Sequence, residues 1–221
     1  MKGTKSIIRE ALITLALAAA LYVILQFVVQ NSPVLGSSME PTLQESGQRL
    51  LVSRAAYWFS DPQRGDIITF HPPPPTDPKS KPYIKRVIGL PGETVEIKSG
   101  KIYINGRSEP LNEPYIDPKL FTYTMPLIKV PEDSYFVLGD NRNVSDDSHW
   151  WINNPSHWIS IPRANIIGKA WLSIWPPSKW GLAPNYRFPT ETNQDTITKQ
   201  NVMLNDQFAD LVYYTRKLIG I

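Results

Sequence analysis

The hydrophobic pattern divides the chain into an apolar N-terminal run, a central region of short segments and a polar C-terminal stretch. Residues Ala11 to Val29 are 19 consecutive uncharged positions, with Thr14 and Gln26 as the clearly polar ones. A helix needs about 20 apolar residues to cross the hydrocarbon core of a bilayer. The pattern therefore predicts a retained transmembrane anchor within residues 1–30. A cleavable secretory signal and a buried core helix are the alternatives.

The distribution of basic residues predicts the orientation of this anchor. Lys2, Lys5 and Arg9 precede the apolar run, and the next basic residue along the chain is Arg49. Basic residues concentrate on the cytoplasmic side of a membrane span, so the N-terminus is expected in the cytoplasm and the rest of the chain outside it. Several tryptophans are candidates for either the membrane interface or the domain core: Trp150, Trp151, Trp158, Trp171 and Trp175.

The region after the anchor is typical of β-structure. Twenty-one prolines and 12 glycines suit short strands joined by turns. Ser99-Gly100 lies between two alternating segments and predicts a two-residue hairpin. The predicted strands are Asp66–Phe70, Tyr83–Leu90, Thr94–Lys98, Lys101–Asn105, Ser134–Leu138 and Lys169–Trp175. We therefore expect a mainly β domain over residues 31–185.

The C-terminal stretch, residues 186–221, has a different pattern. Pro189 to Asn201 is polar, and Val202 to Ile221 carries apolar residues at spacings of three and four. Such spacings predict an amphipathic helix behind a polar linker. The pattern leaves open whether this helix packs on its own domain or lies on a membrane surface.

Charge and composition exclude several classes of function. The chain has 23 basic and 20 acidic residues, a net charge of +3, of which the first ten residues supply two. The nearly neutral remainder gives no electrostatic reason to expect a nucleic-acid partner. Because the chain has no cysteine, it has neither a disulfide framework nor thiolate chemistry. No metal-ligand spacing or phosphate-binding loop is present in the sequence, so we predict no cofactor.

Three sequence motifs in the central region, here called phrases, contain residues that could act in catalysis. The first is Gly36-Ser37-Ser38-Met39-Glu40-Pro41-Thr42-Leu43, directly after the apolar run. The second is Tyr83-Ile84-Lys85-Arg86-Val87-Ile88-Gly89-Leu90-Pro91-Gly92. The third begins Gly139-Asp140-Asn141-Arg142 and continues through Ser145, Asp147 and Ser148. A serine hydroxyl becomes a nucleophile only when a base removes its proton, and none of the three histidines stands out as that base.

A lysine can be the base when its amine is neutral, which burial favours. In a strand, Tyr83, Lys85 and Val87 share one face, so the amine would emerge between apolar neighbours. Arg86 then points to the opposite face and needs a partner of its own. Taken singly, Ser38 is also explained as a turn or cap residue, and Lys85 as a surface lysine.

In this order, the three phrases resemble those of the type I signal peptidases, membrane-anchored Ser/Lys proteases that remove signal peptides from exported proteins. The resemblance extends over about residues 35–175. It implies a mainly antiparallel β-sheet catalytic domain of the signal peptidase/LexA-like fold. It also implies, as partners, the membrane bilayer and the signal peptides of exported preproteins, which have small residues one and three positions before the cleaved bond.

The resemblance implies roles for the residues around the reacting groups. Ser38 matches the nucleophile and Lys85 the general base, while Ser145 falls where a hydroxyl orients the lysine amine. The oxyanion would be held by the backbone N–H of Ser38 and a second donor near Gly36. Many Gram-negative members carry a serine two positions before the nucleophile, so Gly36 implies a backbone donor, as in the Gram-positive pattern.

The resemblance also implies a supporting framework. Asp140 would pair with Arg86, and Asp147 belongs to the same phrase. The family typically continues this phrase as Asp-Ser-Arg, whereas this chain has His149 in place of the arginine. A weaker, pH-sensitive histidine–aspartate support is therefore expected here.

Two other functions are weighed against a signal peptidase. A self-cleaving repressor of the LexA type uses a similar pair of residues, but the predicted anchor and the lack of a DNA-binding module argue against it. A membrane-tethered β-domain that binds extracytoplasmic partners without catalysis is the second alternative. Cleavage of a precursor peptide in trans distinguishes the peptidase from both.

Overall fold

The computed structural model describes residues 3–45, 47–73, 80–116, 121–152 and 159–188. The predicted polar linker and amphipathic helix near the C-terminus lie outside these ranges, and so does Trp158. The described residues form a long N-terminal helix followed by a domain made mainly of strands.

Helix α1 spans Thr4–Val28 and contains the predicted anchor. Its 25 residues extend about 37 Å at 1.5 Å per residue, which exceeds a hydrocarbon core of about 30 Å. The stretch Ser6–Val28 has a mean hydropathy of 2.4, and none of it is buried against the rest of the chain. By length and composition, this helix is able to cross a membrane.

Eleven strands and one further short α-helix are present in the described ranges. The strands are β1 Val29–Pro33, β2 Arg49–Ser53, β3 Ile67–Phe70, β4 Tyr83–Gly89, β5 Thr94–Lys98, β6 Lys101–Ile104, β7 Met125–Lys129, β8 Ser134–Leu138, β9 Ile161–Pro162, β10 Ile166–Trp175 and β11 Gly181–Leu182. Helix α2 is Ser148–Trp151. Three 3-10 turns are Ala55–Tyr57, Arg163–Asn165 and Pro177–Lys179.

The strands form two antiparallel sheets, as the resemblance implies. Among the described residues, the larger sheet has eight strands in the order β1-β2-β10-β3-β4-β8-β9, with β11 beside β10. The smaller sheet has the order β6-β5-β7. Every strand pair is antiparallel. Strand β4 lies inside the larger sheet, between β3 and β8.

The sequence located most of these strands but not all of them. The predicted strands at Thr94–Lys98 and Ser134–Leu138 are confirmed to the residue. Ser99 and Gly100 have φ angles of 47° and 77°, as a two-residue hairpin between β5 and β6 requires. Strands β1, β2, β7, β9 and β11 were not predicted.

The hydrophobic core lies on both faces of β4. One face packs with Ile68, Phe70, Val87 and Val137, and the other side of the sheet carries a cluster with Met39, Leu43, Leu50, Ile67 and Ile84. Every residue of β4 from Ile84 to Gly89 is buried. The two cations of this strand are therefore enclosed in the middle of the domain.

Candidate active site

The candidate nucleophile lies in a turn directly after β1. Gly36 has a φ angle of +75°, a conformation that residues with a side chain rarely adopt. Beyond Ser38, the chain makes a turn that is closed by a hydrogen bond from the Leu43 N–H to the Met39 carbonyl at 2.9 Å. The side chains of Met39 and Leu43 are buried, with 1% and 0% exposed. This apolar pair anchors the turn, while Ser38 itself stays half-buried.

The candidate base reaches the serine from β4. Lys85 Nζ lies 2.7 Å from Ser38 Oγ, within hydrogen-bond distance. Only 4% of Lys85 is exposed. Opposite it on β3 is Ile68, and the ring of Tyr83 on the same face of β4 lies 5.7 Å from the amine. The structure thus brings together two residues that are 47 positions apart in sequence.

Burial dominates the electrostatics of this amine. Desolvation lowers the pKa of Lys85 below its ordinary value, because the charged form has lost its hydration. The carboxylates of Asp147, Asp146 and Asp140 act in the opposite direction, but their combined effect is smaller. The lowered pKa increases the fraction of neutral amine, the form that can accept a proton from a hydroxyl.

The next residue, Arg86, makes the ion pair that the resemblance implies. Its Nε and Nη2 atoms donate to the two carboxylate oxygens of Asp140 at 2.9 and 2.6 Å, and both side chains are fully buried. Arg86 Nη1 also donates to the backbone carbonyls of Gly65 and Pro184. Hydrogen bonding and charge from Asp140 outweigh desolvation and raise the pKa of Arg86.

The third phrase forms a turn that lies against the candidate nucleophile. The Asn141 N–H donates to the Ser38 carbonyl at 3.0 Å, and Asn141 Nδ2 donates to the Ser37 carbonyl at 3.1 Å. A Cβ atom at Gly139 would lie 2.4 Å from the Ser38 carbonyl oxygen and 2.2 Å from Ser145 Oγ. Only glycine permits this close approach.

Ser145 lies beside this glycine, and 5% of it is exposed. Its hydroxyl makes no hydrogen bond to any described residue. The hydrogen bond expected between Ser145 and the Lys85 amine is therefore not formed in this structure, where Ser145 Oγ lies in the space that a Cβ at Gly139 would need. The role of Ser145 stays a prediction.

Asp147 and His149 form the second support of the third phrase. Asp147 accepts a hydrogen bond from the Gly139 N–H at 2.7 Å, and its other oxygen lies 2.8 Å from Nδ1 of His149. Asp147 also caps α2 by accepting from the His149 N–H. The imidazole stacks on Tyr123, with ring centroids 3.9 Å apart and planes 13° from parallel. The substituted histidine thus keeps a contact with the aspartate.

Sequence reasoning missed one element of the site. Arg142 is buried and makes a two-point ion pair with Glu113, a residue outside all three phrases. Tyr115, two residues further on, places its ring 4.0 Å from the Arg86 guanidinium. The one available signal was Arg142 itself, since a charge in a buried phrase needs a partner.

Within the described part of the chain, no three His, Cys, Asp or Glu side chains are grouped so that they could hold a metal ion. The site as described consists of a serine, a lysine and their buried supports.

The fold and the site together point to the serine hydrolases, the class in which a base stands beside a serine hydroxyl. Comparison with known proteins gives the family. A family model described as "Signal peptidase, peptidase S26" matches residues 6–175, and the chain belongs to this family of peptidases. The resemblance of the three phrases to the signal peptidases is thereby confirmed.

Relatives carry the same description. The chain is 42% identical over 187 residues to "Probable signal peptidase I-1" of Synechocystis sp., covering 82% of this chain and 89% of the relative. It is 32% identical over 194 residues to "Signal peptidase IB" of Staphylococcus aureus, covering 80% and 94%. A crystal structure of a signal peptidase I from Enterococcus faecalis is 35% identical, with a TM-score of 0.38, and covers 50% of this chain and 97% of that one.

Proposed function

We propose that this signal peptidase is a membrane-bound serine endopeptidase that removes N-terminal signal peptides from exported preproteins. Ser38 is the nucleophile and Lys85 the general base. The observation that carries the proposal is the 2.7 Å distance between Ser38 Oγ and an amine that is only 4% exposed. The names of the relatives support the substrate class.

The reaction begins with the neutral amine of Lys85. As Ser38 Oγ attacks the carbonyl carbon of the scissile bond, Nζ takes the hydroxyl proton. The tetrahedral intermediate collapses, and the ammonium returns this proton to the leaving amine of the mature protein. The signal peptide is then held as an ester on Ser38. A water molecule, deprotonated by Lys85, hydrolyses that ester and restores both groups.

The negative charge of the intermediate needs donors on the nucleophile's turn. The backbone N–H of Ser38 and a second backbone N–H near Gly36 are the proposed pair. The positive φ of Gly36 supports this assignment, because it gives the backbone before Ser38 a conformation that residues with a side chain rarely adopt. Ser145, next to Gly139, is proposed to orient the lysine amine when substrate is bound.

The supporting residues of this mechanism are Arg86, Asp140 and Asp147. Asp140 and Arg86 hold strand β4 to the turn of the third phrase, and Asp147 holds the Gly139 amide. None of these groups touches Ser38 Oγ or Lys85 Nζ through a described hydrogen bond. They act by fixing the two reacting groups at their observed distance.

Membrane attachment is proposed for α1. The helix is apolar, exposed along its length and continuous with β1, so an inserted helix would keep the domain close to the bilayer. The basic residues that precede the apolar run support a cytoplasmic N-terminus and an extracytoplasmic domain. Trp150, Trp171 and Trp175 are exposed, which suits a membrane interface, whereas Trp151 is buried in the core.

Cleavage in trans tests this function. Full-length protein in detergent is mixed with a preprotein that has small residues one and three positions before the cleavage site, and the products are identified by mass. We expect cleavage by the natural protein and none by Ser38→Ala or Lys85→Ala, with the double variant no worse than either single one. Binding without cleavage would favour the non-catalytic module, and near-normal turnover by Lys85→Ala would rule out the proposed base.

A further inference from the structure

The buried ion pair between Glu113 and Arg142 is not needed by any step of the proposed reaction. Arg142 Nη1 donates to Glu113 Oε2 at 3.0 Å, and Nη2 donates to Oε1. The Arg142 side chain is fully buried and that of Glu113 is 9% exposed. A buried ion pair of this kind is often no more stabilising than apolar residues of the same size. Stability alone therefore does not account for the directional contacts of this pair.

Arg142 makes a third contact, and this one leads to the active site. Its Nε donates to the Gly139 carbonyl at 3.0 Å, in the turn that lies on the nucleophile. Two residues on, the Asn141 N–H donates to the Ser38 carbonyl. An unbroken series of hydrogen bonds and covalent bonds thus joins the Glu113 carboxylate to the backbone of Ser38.

The segment of Glu113 also reaches the lysine strand. The Tyr115 hydroxyl donates to Glu113 Oε1 at 2.7 Å, and the Tyr115 ring lies 4.0 Å from the guanidinium of Arg86. Arg86 is the neighbour of Lys85 and the partner of Asp140. The three-residue segment from 113 to 115 therefore contacts both arginines that support the site.

Glycine at position 139 makes this arrangement sensitive to small movements. The turn approaches Ser38 so closely that no Cβ is tolerated at Gly139. Because Gly139 has no side chain, only the hydrogen bonds of its backbone hold it in position. Asp147 holds the Gly139 N–H and Arg142 holds the Gly139 carbonyl. Without Glu113, Arg142 would be a buried, unpaired cation and would leave its place for solvent or another acceptor.

We propose that Glu113 is a positioning residue: through Arg142 it holds the 139–145 turn against Ser38 and so keeps Lys85 closed off from water. This inference rests on the proposed function of Ser38 and Lys85. Its consequence is specific. The carboxylates of Asp140, Asp146 and Asp147, in and beside this turn, act on the Lys85 amine in the opposite direction, but burial has the larger effect. Loosening the turn lets water reach the amine, so the proton affinity of Lys85 rises and activity appears only at higher pH.

The test compares Glu113→Gln with Glu93→Gln in the full-length protein. Glu93 is a matched control, because it pairs with Arg64, whose Nη1 also donates to a backbone carbonyl, and the two side chains are 15% and 16% exposed. For Glu113→Gln we expect kcat to fall at least about tenfold, as small misplacements of reacting groups can cost up to about 100-fold. KM should change little, and the rising limb of the pH–rate profile should move to higher pH. Glu93→Gln should leave both unchanged.

A second variant keeps the test decisive if Glu113→Gln does not fold. Arg142→Lys retains a cation beside Glu113 but lacks the Nε donor to the Gly139 carbonyl, and we expect the same alkaline movement. The titration of the Lys85 amine is also followed by NMR of 15N-lysine-labelled protein, with Lys85→Arg identifying the signal. This readout needs no turnover, so an inactive natural protein would refute the proposed function and leave the inference testable. An unchanged Lys85 titration in both variants, or in Arg142→Lys alone if the other is unfolded, overturns it.

Discussion

The two faces of strand β4 carry neighbouring cations, Lys85 and Arg86, whose surroundings shift their pKa values in opposite directions. Arg86 is fully buried against the two oxygens of Asp140, and this pairing raises its pKa. Lys85 is almost as deeply buried, but it forms no ion pair with any of the described residues, and desolvation lowers its pKa. Adjacent residues of the same sign thus lie in environments that favour opposite protonation behaviour.

The difference shows what a buried cation needs in each role. A cation with a structural role must remain charged, and Arg86 accordingly makes a two-point contact with the carboxylate of Asp140. The base proposed at position 85 must lose its charge, and Lys85 accordingly has apolar neighbours and a serine hydroxyl instead of a carboxylate. The two-residue period of a strand separates the two environments, because side chains at 85 and 86 project from opposite faces. One strand can therefore supply both the reactive group and its support.

The largest expected effect comes from placing a permanently charged side chain at position 85, like the one at position 86. Lys85→Arg should be inactive, because a guanidinium stays charged and cannot accept the serine proton. Removing a member of a nucleophile–base unit costs about 10⁴-fold or more in kcat. Lys85→Met is the control: it should be equally inactive but at least as stable as the natural protein. Rates are measured on a preprotein, and appreciable turnover by Lys85→Arg would contradict the comparison.

The second effect comes from removing the partner of Arg86. Asp140→Ala should lower the free energy of unfolding by about 3–5 kcal/mol, because it leaves a buried guanidinium uncompensated. Activity should fall with it, since the same residue lies in the turn beside Ser38. Glu132→Ala is the matched control, as its pair with Lys129 is 77% and 66% exposed and is expected to contribute only about 0–1 kcal/mol. Urea unfolding measures both, and equal losses would contradict the scaffold role.

The third effect is a pH dependence of stability that removal of the Lys85 amine should abolish. Its pKa is lowered in the folded state, so the unfolded chain binds more protons between that lowered value and the ordinary value of about 10.4. The contribution of Lys85 to stability should therefore rise with pH across this window. At pH values below it the full cost of burying the charged amine remains. The stability gained by Lys85→Met should accordingly shrink as pH rises, and activity should increase over the lower part of the same window.

Melting curves of the natural protein and Lys85→Met across this range check the linkage, with a pH–rate profile of kcat/KM beside them. Lys98→Met is the control, since its side chain is 57% exposed and its loss should leave the pH dependence unchanged. A constant difference between Lys85→Met and the natural protein, or activity that rises only near pH 10, would contradict the buried amine.

The part of this comparison that follows from local pattern was accessible from the sequence. Alternation along β4 placed Lys85 and Arg86 on opposite faces and required a partner for the arginine. The resemblance to the signal peptidases, and not the local pattern, identified that partner as Asp140. The hairpin at Ser99-Gly100 could be predicted from the local pattern, because two adjacent residues determine the conformation of its turn. Strand β1 was missed, since Val29–Pro33 is largely polar and directly follows the apolar run.

The rest depends on contacts between distant residues that no local pattern encodes. Glu113 and Arg142 are 29 positions apart, and Glu113 lies in an irregular segment between β6 and β7. Likewise, the sequence did not indicate that Tyr123 stacks on His149, 26 positions further along the chain. Tertiary packing alone creates these pairs, so their partners become visible only with the fold.

The smallest expected effect concerns the second support, where His149 replaces the arginine typical of the family. Its imidazole makes one hydrogen bond to Asp147 and its side chain is 16% exposed, whereas that of Asp147 is fully buried. Without the imidazole, Asp147 still accepts hydrogen bonds from the backbone N–H groups of Gly139 and residue 149. His149→Ala should therefore lower the melting temperature, but by less than Asp140→Ala does.

His149→Phe separates the two contacts of the imidazole, because it keeps an aromatic ring against Tyr123 and removes the donor to Asp147. His149→Arg should match or exceed the natural protein in stability at pH 8, because a guanidinium stays charged beside Asp147 and is able to stack on Tyr123. Thermal melts of the three variants measure this, and a loss for His149→Ala as large as that of Asp140→Ala would mean that the site depends on both supports equally.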